Sequence, residues 1–366
     1  MIHKNETGVY TLMYQYSPKP EQIQAMGGKI SFVSRFMPIV TARIPDKKCL
    51  SQLKKDPNLV YISRDHILSL PFYRVKKILS PTVMGANLRR MSKKVVPWNV
   101  LRVLGRGRLN TGKGIRVGVI DTGIDLNHPN LARNIKGGVN IISPSKSPQD
   151  DNGHGTHIAG TIGALHHRVG VIGVAPHVSL YAIKVLDSSG TGSLTNLIRG
   201  IEWGIANRMH VLNISISGGR NIIPILEKVV KEATDRGIII VAAAGNSGLS
   251  SGQGDTVEIP ARIPDTIAVA ALNKLNKRAP FSATGQMVDI AAPGVDILST
   301  YHKKQYAVLN GTSMATAHVS GVMAIYRAAY PHKSVAELKR LMARKAIDLP
   351  PKGKDPLTGY GLIQVN

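Results

Sequence analysis

The stretch "GIRVGVIDTGID", residues 114–125, decides the fold. Its run Val117-Gly118-Val119-Ile120 is apolar without interruption, which reads as a strand buried on both faces. The run stops on Asp121, and the Thr122-Gly123 turn follows. A carboxylate at the tip of a buried strand needs a partner.

Working outward, "SLYAIKVLD", "HVLNISIS", "GIIIVAAAGN" and "TIAVAAL" repeat the pattern, alternating with the helical segments "GSLTNLIRGIEWGIANR", "PILEKVVKEATDRG" and "SVAELKRLMARKA". From about residue 96 onward this predicts an α/β fold, a doubly wound and mostly parallel sheet with helices on both faces. Binding sites in such sheets gather beyond the carboxyl ends of the strands.

Residues 8–70 read differently. Strand "GVYTLMYQY", helix "SPKPEQIQAMG", strands "KISFVSRF" and "PIVTARIP", helix "DKKCLSQLKKDP" with Asp46 as its cap, and strand "NLVYISRDHIL" follow in order. The order β-α-β-β-α-β is that of a split βαβ, a small ferredoxin-like α+β unit. Residues 71–95 lose periodicity and gain paired basic residues, which reads as a linker. The expected division is 1–70, 71–95 and 96–366.

Composition narrows the class. A chain of 366 residues, 43% hydrophobic, suits one sizeable core plus a smaller unit. The single cysteine, Cys49, excludes an intramolecular disulfide, and no Cys/His cluster has zinc-finger spacing. The formal charge of +25 would suit a nucleic-acid binder or adhesion to an anionic envelope. Residues 1–95 hold 17 basic and 5 acidic groups, so nearly half of that excess sits on the first quarter of the chain. The basic residues are scattered without aromatic interleaving, so a solvated surface is expected and no specific nucleic-acid partner. No run approaches 18 apolar residues, which excludes a helical membrane span. The start, "MIHKNETGVYTLMYQY", lacks the continuous apolar core of a secretory signal. Either a signal precedes this numbering, or the protein leaves by another route, or it stays inside.

Three segments place chemistry at element ends. Asp121 ends the strand just described; the Asn152-Gly153 turn of "DNGHGTHIAGTIGAL" delivers His154 to a helix start; and in "NGTSMATAHVSGVMA", Asn310 to Ala324, Ser313 opens another helix. Taken alone, Thr312 or Ser313 is simply a helix cap. Together, the three residue types serve nucleophilic attack: serine attacks a carbonyl, histidine takes its proton, and aspartate fixes the imidazole. Competing readings stand beside these. Asp125 competes with Asp121 but lies past Gly123 and is expected to be more exposed. His157 is expected to pack or hydrogen-bond inside, and His318 to be a satisfied core histidine. An H-x-x-H pair without the glutamate of H-E-x-x-H is a poor metalloprotease signature.

With "DTGID", "NGHGTHIAGTIGA", "AAAGNSG" and "NGTSMATAHVSG" in this order, residues 96–366 resemble the subtilisin-like serine proteases, and residues 8–70 resemble that family's inhibitory, folding-assisting propeptide. The resemblance implies Asp121 as orienting carboxylate, His154 as general base and acid, Ser313 as nucleophile, and Asn246 as side-chain donor of the oxyanion hole. For Asn246 the bland alternative is a turn-forming Asn-Ser-Gly. The same resemblance implies a groove with Gly190, Thr191, Gly192 and Leu194 on one edge and Ser215, Ile216 and Ser217 on the other, Ala244 and Gly245 lying beside it. Ser217 stands where the family usually has glycine and is expected to narrow the primary pocket. Glu258 appears at the floor of that pocket, where it would select Lys or Arg; its alternative is a surface glutamate.

No redox or organic cofactor is implied. Relatives hold calcium with a loop after the histidine helix; here the matching positions, Asn130 and His167, replace hard oxygen ligands, so tight calcium is not expected there although calcium could still add stability. Thr316-Ala317 stands where the family has a small residue plus proline. Cleavage of the propeptide is expected between Leu70 and "VPWNVLRVLG", a window containing Arg89-Arg90 and Lys93-Lys94. The expected partners are protein or peptide substrates and the chain's own propeptide, in a monomer. A secreted location follows from the propeptide resemblance, with a cytoplasmic one as alternative. Two other functional classes remain to be separated: an inactive protease-fold binding protein, and a nucleic-acid binder driven by charge alone.

Overall fold

The computed structural model describes residues 8–84, 96–105, 111–165 and 170–365. The first unit contains β1 (Gly8–Tyr14), α1 (Pro20–Ala25), β2 (Lys29–Val33), β3 (Ile39–Ile44), α2 (Lys47–Leu53) and β4 (Leu59–Arg64). Its sheet is antiparallel in the order β2-β3-β1-β4, the arrangement of a split βαβ. Alternation in the strands buries Leu12, Tyr14, Val40, Ala42 and Ile44 against Ile23 of α1 and Leu50 and Leu53 of α2. Asp46 caps α2, its side chain accepting from the Cys49 N–H at 2.8 Å.

Two short strands follow β4: the first falls at the end of the segment expected as this unit's last strand, and the second falls where a linker was expected. β5 (Ile67–Ser69) and β6 (Arg74–Leu79) both pair with the second unit, and Leu79 and Met84 are buried in its core. Periodicity missed β6 because its ladder lies far away in sequence and five of its six residues are exposed. Residues 85–95, with Arg89-Arg90 and Lys93-Lys94, lie outside the described residues.

The second unit begins with α3 (Trp98–Leu104) and continues with β7 (Arg116–Asp121), β8 (Ile135–Asn140), α4 (His154–Gly163), β9 (Ser179–Lys184), β10 (Thr191–Ser193), α5 (Leu194–Ala206), β11 (Val211–Ile214), α6 (Pro224–Asp235), β12 (Ile239–Ala243), β13 (Ile267–Leu272), β14 (Ile290–Pro293), β15 (Ile297–Tyr301), β16 (Gln305–Asn310), α7 (Thr312–Ala329) and α8 (Val335–Lys345). Seven strands form a parallel sheet in the order β14-β13-β12-β11-β7-β9-β8. β7 sits inside the sheet between β11 and β9, which is why its apolar run is uninterrupted. One face buries Val117, Val119, Val241 and Val269 with Ile158 and Ile162 of α4 and Val319 and Val322 of α7; the other buries Ile120, Ile183, Leu212 and Ile240 with residues of α5 and α6. At roughly 1.5–3 kcal/mol for each fully buried aliphatic side chain, these two cores hold the strand tips in place. α7 is buried from Thr312 to Arg327, with Ala315, Ala317 and Ala324 in the same core as Val241 and Val269.

The first unit sits on α5 and α6. Met37 and Ile39 join the apolar core around Ile201 and Val229. The buried Glu202 carboxylate accepts from the Ser34 hydroxyl and the Arg35 N–H, and Asp65 accepts from the Thr195 N–H at 3.0 Å in the first turn of α5. A carboxylate there complements the positive end of the helix.

Candidate active site

Asp121, at the carboxyl end of β7, is fully buried and faces His154 at the start of α4. The His154 Nδ1 lies 2.9 Å from Asp121 Oδ1 and 3.0 Å from Oδ2. This pairing puts the proton on Nδ1 and leaves Nε2 free to act as a base. Two glycines allow the approach. Gly153 has φ 112°, and a Cβ there would fall 2.4 Å from the Tyr301 ring; a Cβ on Gly155 would fall 2.1 Å from the Gly123 carbonyl oxygen.

The turn that carries His154 is organised by Asp150, which sequence reasoning did not single out. Its Oδ1 accepts from Thr122 Oγ1 and from the N–H groups of Asn152 and Gly153, each at 2.9 Å. Its Oδ2 accepts from Thr156 N–H at 2.9 Å and from Thr156 Oγ1 at 2.5 Å. An aspartate two residues before Asn-Gly, as Asp150 is, is an Asx-turn signal that would have found it. Asp125 corrects an expectation: it is 3% exposed, because the chain folds back after Gly123 and its carboxylate accepts from Gln149 Nε2, Asn127 N–H and Lys304 N–H. Among the described residues no hydrogen bond joins it to His154, whose Nδ1 is paired with Asp121.

Ser313 is the second residue of α7 and is fully buried. Among the described residues neither Ser313 Oγ nor His154 Nε2 has a hydrogen-bond partner. Asn246 follows β12 at the same end of the sheet. Its Oδ1 accepts from Thr312 N–H at 2.9 Å and Thr312 Oγ1 at 2.8 Å, which turns Nδ2 outward to donate to the Phe72 carbonyl oxygen at 2.6 Å. With both donors facing Oδ1, the opposite amide orientation would set N–H against N–H. Thr312 is a second residue that sequence reasoning passed over as a cap.

The other two histidines of these helices are internal. His157 Nε2 lies 3.0 Å from the Ile297 carbonyl and 3.2 Å from that of Ala307, and burial pulls its pKa down to about 3. His318 meets Met314 O and Asn99 Nδ2, each at 2.7 Å, and burial lowers it to about 4.

The two edges expected to form a groove both pair with the chain's own segment after β4. β5 runs antiparallel to β10, pairing Ser69 with Thr191, Leu68 with Gly192 and Ile67 with Ser193. On that same edge Leu70 N–H donates to the Gly190 carbonyl at 2.9 Å, and on the opposite edge Ser69 and Ser217 exchange both backbone bonds, at 3.1 and 2.8 Å. Leu68 is buried among Leu194 and Ile216. The buried Ser215 Oγ lies 3.5 Å from the Ser313 carbonyl. Pro71 is buried and Phe72 is 85% exposed. Glu258 is not a surface glutamate: it is 7% exposed, its N–H donates to the Ala244 carbonyl at 2.9 Å, its Oε1 accepts from Ser247 Oγ at 2.7 Å, and it lies against Gly245.

Among the described residues no group of three His, Cys, Asp or Glu is arranged to hold a metal. Asn130 Oδ1 accepts from the buried Tyr306 hydroxyl at 2.7 Å, and burial raises that hydroxyl to about 12, so it stays a donor. His167 lies outside the described residues. No described helix is long and apolar enough to cross a membrane.

A family model, the Subtilase family, matches residues 112–361. Subtilisin E of Bacillus subtilis (strain 168) is 40% identical over 353 residues, covering 95% of this chain and 84% of that protein. Subtilisin Savinase of Lederbergia lenta is 45% identical over 271 residues, 73% of this chain and 96% of that one, and M-protease of Shouchella clausii (strain KSM-K16) is 44% identical over 292 residues, 78% and 73%. On this match and the α/β sheet that carries it, the chain belongs to the subtilase family and is a serine-type endopeptidase.

Proposed function

We propose that the chain hydrolyses peptide bonds through Asp121, His154 and Ser313, and that it is made as a precursor whose residues 8–72 inhibit and are then cut away by the same site. The observation that carries this reading is the segment Ile67–Phe72, strand-paired to both groove edges with a carbonyl on Asn246. A polypeptide substrate held as an added strand makes the same main-chain bonds.

In this mechanism Ser313 Oγ attacks the carbonyl carbon as its proton passes to His154 Nε2. Asp121 holds the ring by Nδ1 and stabilises the imidazolium. The carbonyl oxygen gains the electron pair, and Asn246 Nδ2 with the Ser313 N–H, at the positive end of α7, meets that charge. His154 then returns the proton to the leaving amine as the C–N bond breaks, leaving an ester on Ser313. Water attacks the ester with His154 again as base, releasing the acid and the free hydroxyl.

Glu258 supports a preference for Lys or Arg before the cleaved bond, since a carboxylate at the pocket floor offers a charge-assisted bond. Phe72, whose ring faces solvent, does not use that preference, so the segment is held better than it is cut. We place the mature enzyme outside the cell, acting as a monomer without tight calcium at Asn130. An inactive binding protein is the competing reading. The test is to express the full chain and Ser313→Ala and follow intact masses and N-termini. Loss of an N-terminal fragment in the first and a single full-length species in the second is the expected result; two intact proteins would refute the proposal.

A further inference from the structure

The segment after Phe72 occupies the other half of the groove. The Tyr73 ring lies 4.9 Å from that of His154, and its hydroxyl donates to Asn152 Oδ1 at 3.3 Å. β6 then runs antiparallel to β16, pairing Arg74 with Asn310, Val75 with Leu309, Lys77 with Val308, Ile78 with Ala307 and Leu79 with Tyr306. β16 leads directly through Gly311 and Thr312 to Ser313. Any strand paired with it is therefore delivered in fixed register to the nucleophile. Counted from the Phe72 carbonyl on Asn246, Tyr73 is the first residue of the leaving half, Arg74 the second and Lys76 the fourth.

Side chains from Arg74 to Ile78 are exposed, so the strand is held mainly by its backbone and tolerates many sequences. Lys76 is the exception. It falls where the register shifts between Val308 and Leu309, and its Nζ reaches Asp296 Oδ1 at 2.9 Å. Asp296 is itself fixed, with its N–H donating to Asn310 Oδ1 at 2.7 Å.

We propose that β16 is the docking edge for the leaving half of polypeptide substrates, over about six residues beyond the cleaved bond, and that Asp296 selects Lys or Arg at the fourth of them. The inference rests on the proposed role of Ser313. It also gives β6 a second meaning: after a cut at Phe72–Tyr73 it stays attached to the enzyme and competes for the edge that substrates need.

Quenched-fluorescence peptides with a common sequence before the cleaved bond test this on the enzyme matured from the full chain. One set ends two residues after the bond; the other extends seven, with Lys, Ala or Glu fourth. Extension with Lys is expected to raise kcat/KM about ten-fold, mostly through KM, as several backbone bonds are added. Lys over Glu should gain about three-fold, the scale of an exposed pair, and less at high salt. Asp296→Asn should bring the Lys/Glu ratio near one and leave the short peptides unchanged. Where β6 remains attached, Lys76→Glu frees the edge by repulsion and should show the same ordering. Equal rates for short and long peptides in both forms overturn the docking edge, and a Lys/Glu ratio unchanged by Asp296→Asn overturns the role of Asp296. Failure to cleave even the short peptides would instead overturn the proposed function, and this inference with it.

Discussion

Thr312→Val tests whether Asn246, the proposed oxyanion donor, is positioned from α7. Asn246 Oδ1 rests on two donors, and the substitution removes one of them, the hydroxyl at 2.8 Å, while keeping the Thr312 N–H at 2.9 Å and nearly the same side-chain shape. The Gly245 N–H also loses its acceptor, a longer contact of 3.3 Å. One buried hydrogen bond contributes about 0.5–1.5 kcal/mol, so with the weaker contact the loss is about 1–2 kcal/mol. If it is felt where Nδ2 meets the developing charge, kcat falls about 5- to 30-fold. The ceiling is removal of the donor itself; that magnitude, about 10²–10³ in turnover, is borrowed from subtilisin. The assay is steady-state hydrolysis of a chromogenic peptide by wild type, Thr312→Val, Asn246→Leu and the double variant. KM should change by less than about two-fold, because ground-state binding uses the groove edges instead. In the Asn246→Leu background Thr312→Val should cost less than about two-fold, since nothing is left to position. The same fractional loss in both backgrounds would refute the argument.

Four further outcomes follow from the geometry. Glu258→Gln should lower kcat/KM for peptides with Arg before the cleaved bond by about 10- to 100-fold relative to Leu, as a charge-assisted bond in a half-dry pocket would; an unchanged Arg/Leu ratio sinks the pocket assignment. His157 and His318 bind protons less readily folded than unfolded, so stability is full above about pH 6.5 and is lost as pH falls toward 4. At pH 5 each contributes about 2 kcal/mol of that loss, read by urea unfolding of Ser313→Ala at pH 7 and 5, and a flat profile would contradict it. Any rise in Tm with calcium should be the same in wild type and Asn130→Ala, because Asn130 Oδ1 is already engaged by Tyr306; a rise lost in the variant would place an ion there. Glu202→Ala strands the Ser34 and Arg35 donors and should shorten the lag between N-terminal cleavage and full activity about 10-fold or more, with the cleavage rate unchanged.

What the sequence disclosed depended on range. Asp121, His154 and Ser313 each end or begin an element whose periodicity is local, so their places were legible from β7, α4 and α7 alone. Glu258 was half legible: the residue was noticed, but its burial against Gly245 depends on a loop returning from β12. Asp125 was misjudged because a glycine turn says that the chain bends, not where it goes next; Gln149 and Lys304, which cover it, come from two other loops. β6 was invisible for a stronger reason. Its exposed side chains carry no alternation, and its only ladder among the described residues is with residues some 230 positions later.

That invisible strand bears directly on the maturation proposed above. The first unit is held by β5 on the groove edges with Asp65 beside it on the first turn of α5, by the Glu202 carboxylate, and by Met37 and Ile39 in the core under α5 and α6. Cutting after Phe72 breaks none of these contacts. The fragment before the cut keeps the half of the groove between β10 and Ser217, and β6, still joined to the second unit, keeps the half along β16. In the proposed maturation, cleavage therefore changes connectivity before it changes occupancy, and activity would follow only as each half leaves by its own route. For the first half, that route is dissociation of a folded unit with remote anchors. For the second, burial of Leu79 and Met84 ties β6 to the core, so either a further cut beyond Met84 or displacement by a substrate that pairs better with β16 must release it.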